Sequence, residues 1–158
     1  MSIITVGISD LAVSKSPDVI VTYALGSCVG ICLYDNRVCI GGLAHIMLPS
    51  SKDVSVATDN YKKYADTGIQ LLLKELKIAG ANMGNLTAKI AGGAQMFASS
   101  KIMSIGDRNV KAVKETLNNY NIKIIAEQTG KNFGRTVYFD TSTGNVEVKS
   151  AIKGSIII

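Results

Sequence analysis

The sequence predicts an α+β fold: an α/β sandwich in which two main helices pack on a mainly antiparallel sheet. Three observations lead there. Short apolar segments bounded by glycine or polar turns recur from one end of the chain to the other. Two stretches carry apolar residues at three-and-four spacing instead. The 158 residues, 47% hydrophobic and 18% charged, suit one compact domain spanning 1–158 with enough apolar material for a core.

Taken in order, residues 2–8 and 18–25 read as strands. Gly26 and Ser27 then interrupt the apolar pattern. Residues 28–34 (CVGICLY) and 39–47 (CIGGLAHIM) read as two more strands around a polar turn, Asp35-Asn36-Arg37. Gly41 and Gly42 inside the second strand point to a bulge or to close approach of another backbone. Pro49 and the polar stretch to about residue 58 make a loop. Over 59–79 the spacing predicts a helix, with Tyr61, Tyr64, Gly68, Leu71, Leu72 and Leu76 near one face. Gly80 fits the position just past its end.

A strand at 86–91 leads into the loop GGAQMF. The second helix covers 107–120, where Val110, Val113, Leu117 and Tyr120 keep helical spacing. Asp107 suits its positive N-terminal end. Strands follow at 122–128, 135–139 and 145–149, with a Thr-Gly-Asn turn between the last two. The tail after 150 carries no readable pattern, and the chain shows no repeat, linker or low-complexity segment.

Composition narrows the function classes. The net charge is +5 and the pI about 9.1, but the lysines are scattered and form no nucleic-acid motif. The expectation is no nucleic-acid partner and a mild attraction for acidic ones. No apolar run approaches the roughly 20 residues of a membrane helix, so no membrane insertion is expected. The start, MSIITVGISD, lacks the features of a signal peptide, which predicts a cytoplasmic protein. Three cysteines, at 28, 32 and 39, are an odd number for a disulfide framework and read as reduced thiols.

His45 is the only histidine. If 28–34 and 39–45 form an antiparallel hairpin, a two-residue turn at Asn36-Arg37 or a four-residue loop at 35–38 gives one register. It sets Tyr34 opposite Cys39, Cys32 opposite Gly41 and Cys28 opposite His45. Opposed side chains lie on one face with Cβ atoms about 4.5–5.5 Å apart. A slip of one residue would separate them. A nearby imidazolium stabilises a thiolate and makes it a strong nucleophile. The same histidine can protonate a leaving amine and later activate water. At the Gly26-Ser27 turn, backbone N–H groups can face a developing oxyanion, with Ser27 as an extra donor. Thr22, late in the preceding strand, is a candidate to orient the imidazole.

Plainer readings compete. A lone cysteine is commonly a small buried hydrophobe, and a lone histidine a satisfied structural residue. A zinc site is a third reading. Cys28 and Cys32 are four residues apart, about 13 Å along a strand, and zinc holds each sulfur at about 2.3 Å. A site using both is incompatible with the strand, so Cys32 and Cys39 read as packing residues.

The segment TYALGSCVGICLYD, followed by GGLAHIMLP, resembles the signature of the CheD family of chemoreceptor glutamine deamidases. KYADTGIQLLLKEL is similar to the family's first long helix, and AKIAGGAQMF to its glycine-rich strand end. IGDRNVKAV resembles the start of its second helix, and AEQTGKNFGRTV its late strand pair. The resemblance runs from about residue 5 to 150. It implies a catalytic set of Thr22, Cys28 and His45, and hydrolysis of glutamine side-chain amides on methyl-accepting chemotaxis receptors. It implies no metal and no organic cofactor. The implied partners are the helical cytoplasmic region of those receptors and the phosphatase CheC. A binding module that regulates CheC is the alternative function. The implied fold is similar to that of glutamine-deamidating toxins. For Gly92, Gly93, Gln95, Met96 and Phe97, a strand end packed on the core is the preferred reading, and a loop gripping the receptor helix the other.

Overall fold

A computed structural model describes residues 1–53, 60–96 and 104–158. Phe97 and the second half of the loop expected up to residue 58 lie outside the described residues. The strands are β1 (Ile3–Val6), β2 (Asp10–Lys15), β3 (Val19–Leu25), β4 (Val29–Asp35) and β5 (Ile40–Ile46). Then come α1 (Ala65–Ala79), β6 (Leu86–Gly92), α2 (Ile105–Asn119), β7 (Lys123–Thr129), β8 (Arg135–Asp140), β9 (Val146–Ser150) and β10 (Gly154–Ile157).

The fold is α+β, with two five-stranded sheets where the sequence suggested one. The first runs β1-β3-β8-β9-β10 and the second β2-β5-β4-β6-β7. Only β1·β3 and β6·β7 pair in parallel, so both sheets are mainly antiparallel. Two apolar clusters define three layers. One joins Ile20, Leu25, Val137 and Phe139 of the first sheet to Cys32, Tyr34, Leu43 and Ala91 of the second. The other joins Val29, Ile31, Leu33, Ala44 and Ile46 to Ile69, Leu72, Leu76, Val113 and Leu117 of the helices. The second sheet is thus covered on both faces, and every residue of β4 and β5 is buried. Burying each such Leu, Ile or Val contributes about 1.5–3 kcal/mol, enough to make this sheet the rigid centre of the molecule.

Both helices follow their apolar stripes, shifted at the ends. In α1 Gly68, Ile69, Leu72, Leu73 and Leu76 are buried, while Tyr61 falls in a preceding 3-10 turn and is exposed. Gly80 ends α1 in the left-handed region (φ 107°), its N–H returning to Leu76 and Lys77 as a glycine cap does. Helix α2 begins two residues earlier than expected, because the Ser104 side chain accepts from the Asp107 N–H.

Gly41 and Gly42 mark close approach of side chains and not a bulge. A Cβ on Gly41 would lie 2.6 Å from the Phe139 ring, and one on Gly42 2.7 Å from Leu72. The two layers press on β5 from opposite sides. The strand read at 2–8 is β1 and stops at Val6; the chain then turns through Ser9 at positive φ and adds β2, a strand absent from the sequence reading, beside β5.

The β4·β5 register differs from the sequence expectation by two residues. His45 lies opposite Gly30, and Tyr34 opposite Gly41. The connection is Asn36 to Cys39, with Cys39 itself in the left-handed region (φ 53°). A shift of two leaves every side chain on its face. His45 therefore keeps the face toward the first sheet, and Cys28, one residue before β4, packs in the cluster between the sheets without lying directly opposite it.

Candidate active site

His45 is fully buried between the sheets. Across from it, Thr22 on β3 is also fully buried, and its Oγ1 lies 2.7 Å from His45 Nδ1. The same hydroxyl donates to the Val6 carbonyl at 2.8 Å. A hydroxyl has one proton. With that proton committed to Val6, Thr22 Oγ1 must accept from His45, so Nδ1 carries the ring hydrogen. Nε2 is then the free basic nitrogen, and it has no hydrogen-bond partner among the described residues.

Cys28 stands one residue before β4 with 9% of its surface exposed. Gly30, directly opposite His45, contributes no side chain to this face. Leu25 and Thr22 methyl groups fill the space a Cβ there would meet, at 3.2 and 3.8 Å. The chain reaches Cys28 through an irregularity in β3. The β3·β8 register shifts between Thr22 and Leu25, with Ala24 in the left-handed region (φ 58°). Such a bulge re-aims the strand, here into the turn of Gly26, Ser27 and Cys28.

Three consecutive carbonyls of this turn are held from outside. Ala94 N–H donates to Gly26 O at 2.8 Å and Gly93 N–H to Cys28 O at 2.8 Å. Asn109 Nδ2 donates to Ser27 O at 2.9 Å and also to Met47 O at 3.0 Å. Gly92 (φ 107°) approaches so closely that a Cβ there would lie 2.3 Å from Cys28 O. Only glycine fits both that conformation and that distance. The glycine pair at the end of β6 therefore braces the cysteine turn, more than the strand-end packing expected of it. Met96 lies over Gly26 and is 47% exposed.

Arg135 supports this loop from behind. It is 2% exposed and has no carboxylate partner among the described residues. It donates to the side chain of Gln128 and to the carbonyls of Gly92 (3.4 Å), Phe133 (3.3 Å) and Gly130 (2.7 Å), and lies 4.4 Å from the Phe133 ring centre. Neither Arg135 nor Asn109 is evident from motif reading, yet each carries a signal. Asn109 sits four residues before Val113 on the apolar face of α2. Arg135 shares the inward parity of Val137 and Phe139.

Electrostatics revise the expected ion pair. Burial pushes His45 down to about 4 from its ordinary 6.5. Burial also raises the Cys28 thiol above its ordinary value, opposed in part by the residue's own backbone N–H. The resting pair is therefore a neutral thiol and a neutral imidazole, not a thiolate and an imidazolium. Ser27 is partly buried beside the thiol, and the structure assigns its carbonyl, not its hydroxyl, a partner. Cys32 is buried on the same face, raised by burial beyond any useful acidity. Cys39 lies in the β4–β5 connection, apart from both. Among the described residues no three His, Cys, Asp or Glu side chains gather as a metal site.

The sign of the pH dependence follows. An unfolded chain protonates His45 near 6.5, whereas the folded one does not until about 4. Stability is therefore full above about pH 6.5 and falls as pH drops toward 4, by up to about 3 kcal/mol. Denaturant unfolding across that window should show the loss, and His45→Gln should flatten its slope. An unchanged slope in the variant would count against the neutral histidine.

Fold and site together define an α+β protein with a thiol and an oriented imidazole on one inter-sheet face. Comparison with known proteins makes this specific. Residues 47–150 match the family model described as CheD chemotactic sensory transduction. A Syntrophomonas wolfei protein named "Probable chemoreceptor glutamine deamidase CheD" is 49% identical, covering 99% of this chain and 98% of its own. A Clostridium botulinum protein of the same name is 52% identical, covering 96% of this chain and 95% of its own. The chain belongs to the CheD family. Among solved structures, the Bacillus licheniformis hypothetical protein YfiH is similar at 14% identity and a TM-score of 0.48. It covers 76% of this chain, which spans 50% of that one. No helix among the described residues is long and apolar enough to cross a membrane.

Proposed function

We propose that this protein is a cytoplasmic protein-glutamine deamidase, acting on glutamines in the helical cytoplasmic region of methyl-accepting chemotaxis receptors. The observation that carries the reading is the oriented histidine. Thr22 accepts a hydrogen bond from Nδ1–H, which leaves the Nε2 lone pair free on the face shared with Cys28.

The Cys28 thiol gives its proton to His45 Nε2 as sulfur attacks the carboxamide carbon. The C–N bond breaks, His45 returns the proton to the departing ammonia, and a thioester remains. Water then gives a proton to His45 and its hydroxyl to the acyl carbon. The thiolate leaves, takes that proton back, and glutamate is released. The N–H groups at the Ser27–Cys28 turn serve the oxyanion. Thr22 holds the ring and supplies no charge. CheC is the second partner in this proposal.

The test incubates the protein with a receptor cytoplasmic fragment. Mass spectrometry should show a gain of about one dalton at specific glutamines, the amide nitrogen becoming an acid oxygen. No gain on any glutamine of a cognate receptor would overturn the proposal. Thr22→Val should lower kcat on the order of 100-fold, since the Nδ1 proton loses its acceptor and the ring its tautomer. Thr22→Ser, which keeps the hydroxyl, should recover most of it. Equal losses in the two variants would exclude the orienting role.

A further inference from the structure

Asn109 is fully buried on α2, and both hydrogens of its amide are used on main-chain carbonyls of two different segments. One carbonyl belongs to Ser27, directly before Cys28. The other belongs to Met47, two residues after His45. The amide oxygen, equally buried, has no partner among the described residues. An apolar side chain would fill this place on the helix without stranding a polar atom. What asparagine adds here is a pair of donors, spent on the two segments that carry the thiol and the imidazole.

Peptide geometry extends the point. In a trans peptide the carbonyl of Ser27 and the N–H of Cys28 point in opposite directions. Asn109 holds that carbonyl toward the helix layer, so the Cys28 N–H turns toward the inter-sheet face where its own side chain lies. We infer that Asn109 is a positioning residue. It sets the Ser27–Cys28 peptide plane so that the Cys28 N–H faces the oxygen of the bound amide, and it ties that turn to the His45 strand. The inference rests on Cys28 and His45 being the reacting pair.

The experiment compares steady-state deamidation of a receptor cytoplasmic fragment by Asn109→Ala, Asn109→Asp, Val113→Ala, Cys28→Ala and the unaltered protein, with rates taken per folded molecule. Val113 lies one turn along the same helix face and offers no donor to either carbonyl. Asn109→Ala should lose roughly 10-fold or more in kcat with KM changed less than about twofold. Asn109→Asp should lose more near neutral pH, where a carboxylate only accepts. It should recover in part as pH falls and the carboxyl regains one donor. Val113→Ala should keep its kcat.

If the Asn109 variants keep full kcat, or if Val113→Ala loses as much, Asn109 is a packing residue and the inference is overturned. Retained activity in Cys28→Ala would instead overturn the underlying reading, whatever the Asn109 variants do. Should Asn109→Ala not fold, Asn109→Ser, with a single shorter donor, is judged by the same criteria.

Discussion

Cys28→Ala and His45→Ala are each expected to lower kcat for receptor deamidation by roughly 1,000-fold or more, and the double variant to fall no further. A nucleophile and its base act as one unit, so removing either removes the shared step. The neutral resting pair sharpens this expectation. A thiol raised by burial has almost no thiolate of its own near pH 7, so without Nε2 as acceptor the attack has no proton outlet. Cys32→Ala, on the same face but deeper, should retain activity while the fold persists. Additive losses in the double variant would mean that the two residues contribute separately. A loss in Cys32→Ala without unfolding would move the nucleophile. The readout is the rate of the one-dalton gain, with circular dichroism confirming the fold.

The second large effect is on stability. Arg135→Met should destabilise the protein by about 3 kcal/mol, lowering the melting temperature by about 6–12 °C. The guanidinium serves Gln128, Gly92, Gly130 and Phe133 at once. Methionine matches its length and apolar stem but leaves those acceptors without a donor. Unpaired buried acceptors of this kind each cost about 1–3 kcal/mol before the loop relaxes. Arg135→Lys, with a compact ammonium in place of a fork, should fall between. A shift of less than about 2 °C in Arg135→Met would show that the loop holds itself. Because Gly92 is one of the acceptors, and Gly93 binds Cys28 O, the variant should also slow deamidation while it remains folded.

Much of the site is legible in the sequence because strand parity is robust. Cys28 and His45 share a face for any register differing by an even number, and the true register differs by two. The number itself was hidden in the Asn36–Cys39 connection. There a cysteine adopts a left-handed conformation for which its side chain gives no sign. Strands that bury one clear face, such as β8 and β9, are readable. β2 is not, since only Leu11 and Val13 mark it and its place at a sheet edge leaves the rest half exposed. β10 is exposed throughout, so no alternation betrays it. The division into two sheets was illegible for a related reason. β4 and β5 are buried on both faces, and a continuous apolar run does not say how many layers cover it. Thr22 is a candidate from its place late in the preceding strand, and the family resemblance singles it out. Asn109 and Arg135 do not stand out in the sequence, because a polar residue on an apolar face is unremarkable until its acceptors are seen.

The hydroxyl behind His45 has a consequence for how long the protein lasts. A carboxylate in that place would favour imidazolium and, through it, a standing thiolate. Thr22 carries no charge and gives no such encouragement. Oxidants such as peroxide attack the thiolate, and attack follows exposure. A Cys28 that stays protonated and nearly covered is expected to be slow to form a sulfenic acid. Under the proposed function, the arrangement gives up some readiness between turnovers and gains resistance to chemical ageing.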